Sequence, residues 1–302
     1  MASLADLATD EGEMASEIKE TLKTNKTLLH SACSKGDVGY LGALLGIGLD
    51  IEAKDDKGRT PLFEACSNQE PECVQLLLEK GANPNATSLD GHTPLTVACI
   101  HSGNSECVRH LLAHGAKPNV RDIAGQTPLF WACTFNEVES IRLLLDNKAV
   151  PDIVDRDGLT PMARILRLFR HDEDTLACIR LLLEHGVSSN AVDNVSGDTL
   201  LHTACKKNAP RLIQLLLKNG ANPGQLNKRG RTPMQTVTKC LRKASAADTD
   251  ALMECKKMLQ EALEELEASR KRPRVESEEE EDMEEGEVVF KVEPIAKRVR
   301  HE

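Results

Sequence analysis

The chain has 302 residues, 40% hydrophobic but only 2% aromatic, and a formal net charge of −10. So few aromatic rings favour closely packed short helices over a sandwich or barrel, and the acid excess offers no general attraction for nucleic acid, whose phosphates are met by Lys and Arg. No secretory leader opens the chain and no apolar run approaches membrane-spanning length, so a soluble, intracellular protein is expected, with no membrane contact and no direct nucleic-acid partner.

Residues 1–24 carry six acidic and two basic side chains and read as an acidic segment, partly helical or disordered. From Thr27 a seven-residue anchor recurs, beginning at Thr27, Thr60, Thr93, Thr127, Thr160, Thr199 and Thr232, with spacings of 33, 33, 34, 33, 39 and 33. The strings are TLLHSAC, TPLFEAC, TPLTVAC, TPLFWAC, TPMARIL, TLLHTAC and TPMQTVT, and from the second onward a Gly stands two residues ahead. Thr at such a position starts a helix, because its hydroxyl accepts from unpaired backbone N–H groups. Pro just after it needs no N–H and has φ already set.

A second apolar stripe follows in each unit, as in VQLLLEKGANPN (74–85), VRHLLAHGAKPN (108–119) and LIQLLLKNGANP (212–223). Its Leu residues bury one helix face, and the Gly behind them suits a left-handed cap. Each unit is therefore helix, turn, helix and extended loop. One pair cannot bury its own apolar face, so neighbours stack into a curved array with a concave side. The expected architecture is an all-α solenoid over residues 25–268.

Departures from the period carry information. The first unit has Gly39, Gly42 and Gly46 in its second helix and reads as an N-terminal cap. Lys148 stands where other units have Gly, which implies a strained turn. In the fifth unit Ile165 and Leu166 replace Ala-Cys, and 167–174 adds about five residues between the helices. That lengthening is either drift or a partner contact. Residues 243–248 read as a linker, and 250–268, with Leu252, Cys255, Leu259, Ala262 and Leu266 on one face, as a long amphipathic helix. The helix is expected to cap a monomer; coiled-coil dimerisation is its rival.

Ten cysteines show no C-x-x-C pair, and Cys33, Cys66, Cys99, Cys133 and Cys205 follow Ala at one repeated position, where a small side chain packs between helices. No metal or cofactor is expected. The signatures of nucleotide, zinc-peptidase and serine-hydrolase chemistry are absent from the sequence, so no catalytic residue is assigned.

The compound 33-residue pattern resembles the ankyrin-repeat family. The resemblance implies a protein-binding module. It also implies that the residue before Ala-Cys and the two after it point to the concave side, which offers Val97, Ile100 and His101 in the third unit, Trp131, Thr134 and Phe135 in the fourth, and Arg164, Arg167 and Leu168 in the fifth. Trp131, Phe135, Ile100, Arg164 and Arg167 are accordingly the candidate partner-binding residues, Trp and Arg being frequent interface anchors. The competing reading has Trp131 filling space between helices. By the same resemblance His30 and His202 bridge neighbouring turns, and Asn85, Asn119 and Asn190 match a position that an asparaginyl hydroxylase modifies in some ankyrin proteins. The loops at 53–59, 121–126 and 227–231 are expected to be polar and exposed.

Residues 269–302, with eleven acids and eight bases, bury too little to offset chain entropy and are expected to be a disordered tail. Its basic clusters, Arg270, Lys271, Arg272 and Arg274 and then Lys297, Arg298 and Arg300, look like nuclear localisation signals read by an import receptor. Ser277, followed by four Glu, resembles an acidophilic kinase site of the casein-kinase type, and Lys291 lies in an apolar-Lys-x-Glu string like a SUMO acceptor. An acidic tail beside a repeat array is architecturally similar to inhibitors of NF-κB-type transcription factors, without the paired-serine degron of the cytoplasmic ones. The expectation is a nuclear co-regulator or inhibitor whose partner is a transcription factor; a substrate adaptor for a ubiquitin ligase is the alternative.

Overall fold

The computed structural model describes residues 27–100, 105–193 and 196–271, which form fourteen helices in seven pairs. The pairs are α1 (Leu28–Lys35) with α2 (Val38–Gly46), α3 (Pro61–Ser67) with α4 (Pro71–Glu79), α5 (Pro94–Ile100) with α6 (Glu106–Ala113), and α7 (Pro128–Phe135) with α8 (Val138–Asp146). They continue with α9 (Pro161–Arg167) and α10 (Glu173–Glu184), α11 (Leu200–Lys206) and α12 (Pro210–Lys218), and α13 (Pro233–Leu241) and α14 (Ala246–Lys271). Odd-numbered helices stack on one another as an inner layer, and even-numbered helices as an outer one. Among the described residues the only extended pairing is an isolated bridge between Val192 and Thr199.

Each inner helix begins where its Thr predicts. The hydroxyls of Thr60, Thr127 and Thr160 accept from the N–H of Phe63, Phe130 and Ala163, and Pro occupies the first turn of each of these helices. The outer helices bury one repeated face: Val74, Val108, Ile141, Ile179 and Ile213, with Leu77, Leu111, Leu144, Leu182 and Leu216, are all at 0% exposure. Each such Leu withdrawn from water contributes about 1.5–3 kcal/mol. Every repeat thus depends on the next for its core.

The Ala-Cys thiols Cys33, Cys66, Cys99, Cys133 and Cys205 are fully buried. Cys73, Cys107 and Cys178 form a second set on the outer helices, one residue before the Val/Ile of the buried face. Sequence reading did not assign this set.

Extended loops join successive pairs as fingers, and backbone hydrogen bonds hook the first four in series. Leu89 N–H donates to Lys57 O at 2.9 Å, Ile123 N–H to Asp90 O at 3.1 Å, and Arg156 N–H to Ala124 O at 2.9 Å. Gly91 permits this approach, because a Cβ there would lie 3.1 Å from the Asp122 backbone, and its φ of +77° disfavours other residues.

Three expectations change in detail. The fingers are polar but not wholly exposed: Asp55, Asp122, Asp155 and Asn227 are each under 10% exposed, since each side chain closes its own turn by accepting two backbone N–H groups. The expected linker at 243–248 is shorter, because α14 already starts at Ala246, where Ser245 bonds the Asp248 side chain. The same helix runs to Lys271, three residues past the boundary drawn at 268.

The added residues of the fifth repeat are divided between two places. One turn lengthens α10 to 12 residues, capped by Asp172, which accepts from Thr175 N–H at 2.8 Å. The remainder forms a loop in which Phe169 folds onto the core. Contact between α9 and α11 is the slightest in the inner layer, so the stack opens there. Lys148 adopts a φ of +68°, the left-handed turn that Gly serves in the other repeats.

Candidate protein-binding surface

The inner helices and fingers together line the concave side, and Trp131 stands at its middle on α7. Its indole N–H donates to Asp122 Oδ2 at 2.9 Å, and His92 Nε2 lies 3.2 Å from the same oxygen. The other Asp122 oxygen accepts from Ala124 and Gln126 N–H at 2.9 and 2.8 Å. A buried carboxylate therefore positions finger, indole and imidazole at once. The Trp131 ring stacks on Phe135 at 6.3 Å with planes 14° apart, and meets His92 edge-on at 5.8 Å.

Trp131 is half-buried and Phe135 is 39% exposed, so an aromatic step is open on one side and anchored on the other. Arg164 does not join that step through its charge. Its guanidinium lies 5.9 Å over the Phe130 ring and its Nε donates to Thr134 Oγ1 at 3.3 Å, which packs it between α7 and α9. Ile100 is half-buried at the end of α5, and Arg167 is exposed at the end of α9. Val97 departs from the implied geometry: it is 5% exposed and belongs to the core. Helix α5 is packed on both sides by α3 and α7, and Val97 turns into that contact. His101 lies outside the described residues.

Two roles seen in the sequence are structural in this arrangement. The Nε2 atoms of His30 and His202 pair with the carbonyls of Arg59 and Arg231 at 2.9 and 2.8 Å, stapling each repeat to the next. Burial lowers both histidines below their ordinary range, with the carbonyl contacts opposing it. Asn85, Asn119 and Asn190 bracket the following repeat's turn. Asn119 Nδ2 donates to Lys148 O at 3.1 Å while its Oδ1 accepts from Val150 N–H at 2.8 Å, and Asn85 and Asn190 repeat the device on 115–117 and 220–222.

Among the described residues no group of three or more His, Cys, Asp or Glu side chains is placed to hold a metal ion, and no helix is long and apolar enough to cross a membrane. Arg270 and Lys271 end α14, with side chains outside the description. Arg272, Arg274, Ser277, Lys291, Lys297, Arg298 and Arg300 lie outside the described residues. The residues that sequence reasoning missed are His92 and Asp122; the recurring Asp three residues before the finger Gly was the available signal.

Comparison with known proteins agrees with this geometry. The family description "Ankyrin repeats (3 copies)" matches residues 7–88, 29–122 and 84–157, and "Ankyrin repeats (many copies)" matches 178–237. The chain is 38% identical over 61 residues to human ankyrin repeat domain-containing protein 40, covering 20% of this chain and 17% of that one. It is 31% identical over 100 residues to the mouse B-cell lymphoma 3 protein homolog, covering 33% and 21%. With the mouse 2-5A-dependent ribonuclease it shares 33% identity over 92 residues, 28% of this chain and 12% of that protein. The matched segments thus span about a fifth or less of these relatives. The crystal structure of the human ASB11 ankyrin repeat domain superposes with a TM-score of 0.61 at 27% identity, over 76% of this chain and 97% of that domain.

Proposed function

Since the chain belongs to the ankyrin-repeat family, whose repeats mediate protein–protein interaction, we propose that it is a non-catalytic scaffold taking its partner on the concave face at the Trp131–Phe135 step. We propose further that it acts in the nucleus as a transcription co-regulator or inhibitor. The observation that carries the binding role is the stacked, half-open pair Trp131 and Phe135, held at mid-array by Asp122. A rigid aromatic anchor gives large contact area at little entropic cost. Ile100 and Arg167 flank the step on α5 and α9, and Arg164 supports it from below. The nuclear assignment is supported by the basic clusters at 270–274 and 297–300, and the net charge of −10 favours contact with a DNA-binding protein over contact with DNA.

Proximity labelling with mass spectrometry, comparing wild type with Trp131→Ala, tests the reading. Transcription factors should be recovered by the wild type and lost by a folded variant, each anchor contributing about 2 kcal/mol or more of affinity. Recovery of cullin or ligase components in their place would support the substrate-adaptor role. Replacing Lys271, Arg272 and Arg274 by Ala should abolish nuclear accumulation.

A further inference from the structure

The last three repeats enclose a groove that shares only Arg167 with the site around Trp131. Where the stack opens between α9 and α11, Met162, Leu166 and Leu200 make an apolar floor with Arg167 and Lys207 at the rim, in a cavity of about 360 Å³. Between α11 and α13 the lining becomes basic, with Arg229, Arg231, Lys239 and Lys243. Ser196, Asp198 and Lys206 line both parts, which makes them one continuous groove.

Its cations outnumber its acids. Asp193 and Asp198, the two acids that line it, are already engaged, Asp193 by the N–H and hydroxyl of Ser196 and Asp198 by Lys206 and by Asn227 Nδ2 at 2.7 Å. Among the described residues no carboxylate forms an ion pair with Arg229, Arg231, Lys239 or Lys243. The mutual repulsion is felt at Lys239, whose ammonium is held below its ordinary range, chiefly by Arg231, then by lost hydration, Lys243 and Arg229. Four cations leading to an apolar floor suit an acidic peptide that carries an apolar side chain.

The chain contains such a segment. Residues 276–287 hold nine acids and, among them, Met283. Helix α14 returns the chain to the base of the last finger, the loop that carries Arg229 and Arg231: a Cβ at Gly224 would lie 3.9 Å from Leu263. Lys271 follows about 12 Å further along the helix, and ten extended residues beyond it, as far as Glu281, span up to about 35 Å.

We propose that residues 276–287 dock in this groove of their own chain, the first acids on Arg229, Arg231, Lys239 and Lys243 and Met283 on the apolar floor. The C-terminal half of the concave face is then self-occupied, and an acidic partner competes for it. This goes beyond the role of Trp131 and stands without it.

Zero-length carbodiimide coupling of the full-length protein at low salt, followed by mass spectrometry of the monomer, provides the first test. Links from Lys206, Lys239 or Lys243 to 276–287 are expected, and they should vanish in half-molar salt. Links confined to dimers, or only to lysines outside the groove such as Lys256 and Lys257, overturn the proposal. The second test uses a fluorescent peptide of residues 275–290. A full-length variant with Glu278, Glu279, Glu280 and Glu281 changed to Gln should bind it at least tenfold more tightly than wild type, because its own segment has left the groove. Adding Arg229→Glu, Lys239→Glu and Lys243→Glu, all at exposed positions, should abolish that binding with an unchanged circular dichroism spectrum. Equal peptide affinity in wild type and the Gln variant refutes self-docking.

Discussion

The indole N–H of Trp131 and the carboxylate of Asp122 meet at 2.9 Å across nine residues of chain, binding the middle of an inner helix to the finger before it. Because Asp122 is 7% exposed and also closes its own turn, the contact fixes the aromatic step as part of the scaffold rather than as a mobile surface ring.

Trp131→Phe keeps the stacking on Phe135 but removes one donor from a buried carboxylate. The expected cost is about 1–3 kcal/mol in urea unfolding, the range for a buried acceptor left short of a partner. An unchanged unfolding midpoint would show that the hydrogen bond does not hold the step.

Lys148 occupies a left-handed turn in which Gly avoids the Cβ penalty of about 1–2 kcal/mol. Lys148→Gly should therefore raise stability, by less than that amount because Gly also gains freedom in the unfolded chain. A lowered melting temperature would contradict the strain argument.

Asn119→Ala removes both hydrogen bonds to the turn at 148–150. A loss of about 1–3 kcal/mol is expected, with faster hydrogen exchange concentrated at Val150. Exchange that accelerates evenly along the chain would show that the bracket is not local.

His30 and His202 are buried and their pKa values lie below the unfolded value near 6.5. The unfolded chain then binds more protons as pH falls below that value, so these histidines contribute stability above about pH 6.5 that is lost as pH drops toward their folded values. The slope is at most about 1.4 kcal/mol per pH unit for each histidine. Equilibrium unfolding between pH 7.5 and 5 measures it, and His202→Gln should flatten the curve; an identical slope in that variant would exclude His202 as a source.

Thiol chemistry reports the two cysteine ladders. Burial pushes Cys107 and Cys178 up to about 12, and of the ten cysteines only Cys240 is not fully buried. Cys240 should react first with a maleimide and the rest only on unfolding. Rapid modification of Cys66 in the native protein would overturn this packing.

Much of the fold was legible because its determinants are local. A Thr hydroxyl reaches an N–H three residues on, and a Leu stripe recurs within one helix, so the anchors at Thr60, Thr127 and Thr160 located helix starts without reference to the rest of the chain. The step around Trp131 was only half legible. Phe135 lies one helical turn away, but His92 is 39 residues distant and reaches Asp122 only once the fingers stack.

The sequence by itself determined the number of repeats, the starts of the inner helices and the Leu faces of the outer ones, since period and capping act over a few residues. Tertiary structure alone decided which concave side chains remain available. It turned Val97 inward, placed Arg164 over Phe130 instead of beside Trp131, and opened the groove between α9 and α11. The physical reason is that inner helices of seven to nine residues expose only what their stacked neighbours leave uncovered. That depends on spacing between repeats, which a 39-residue interval changes at one joint.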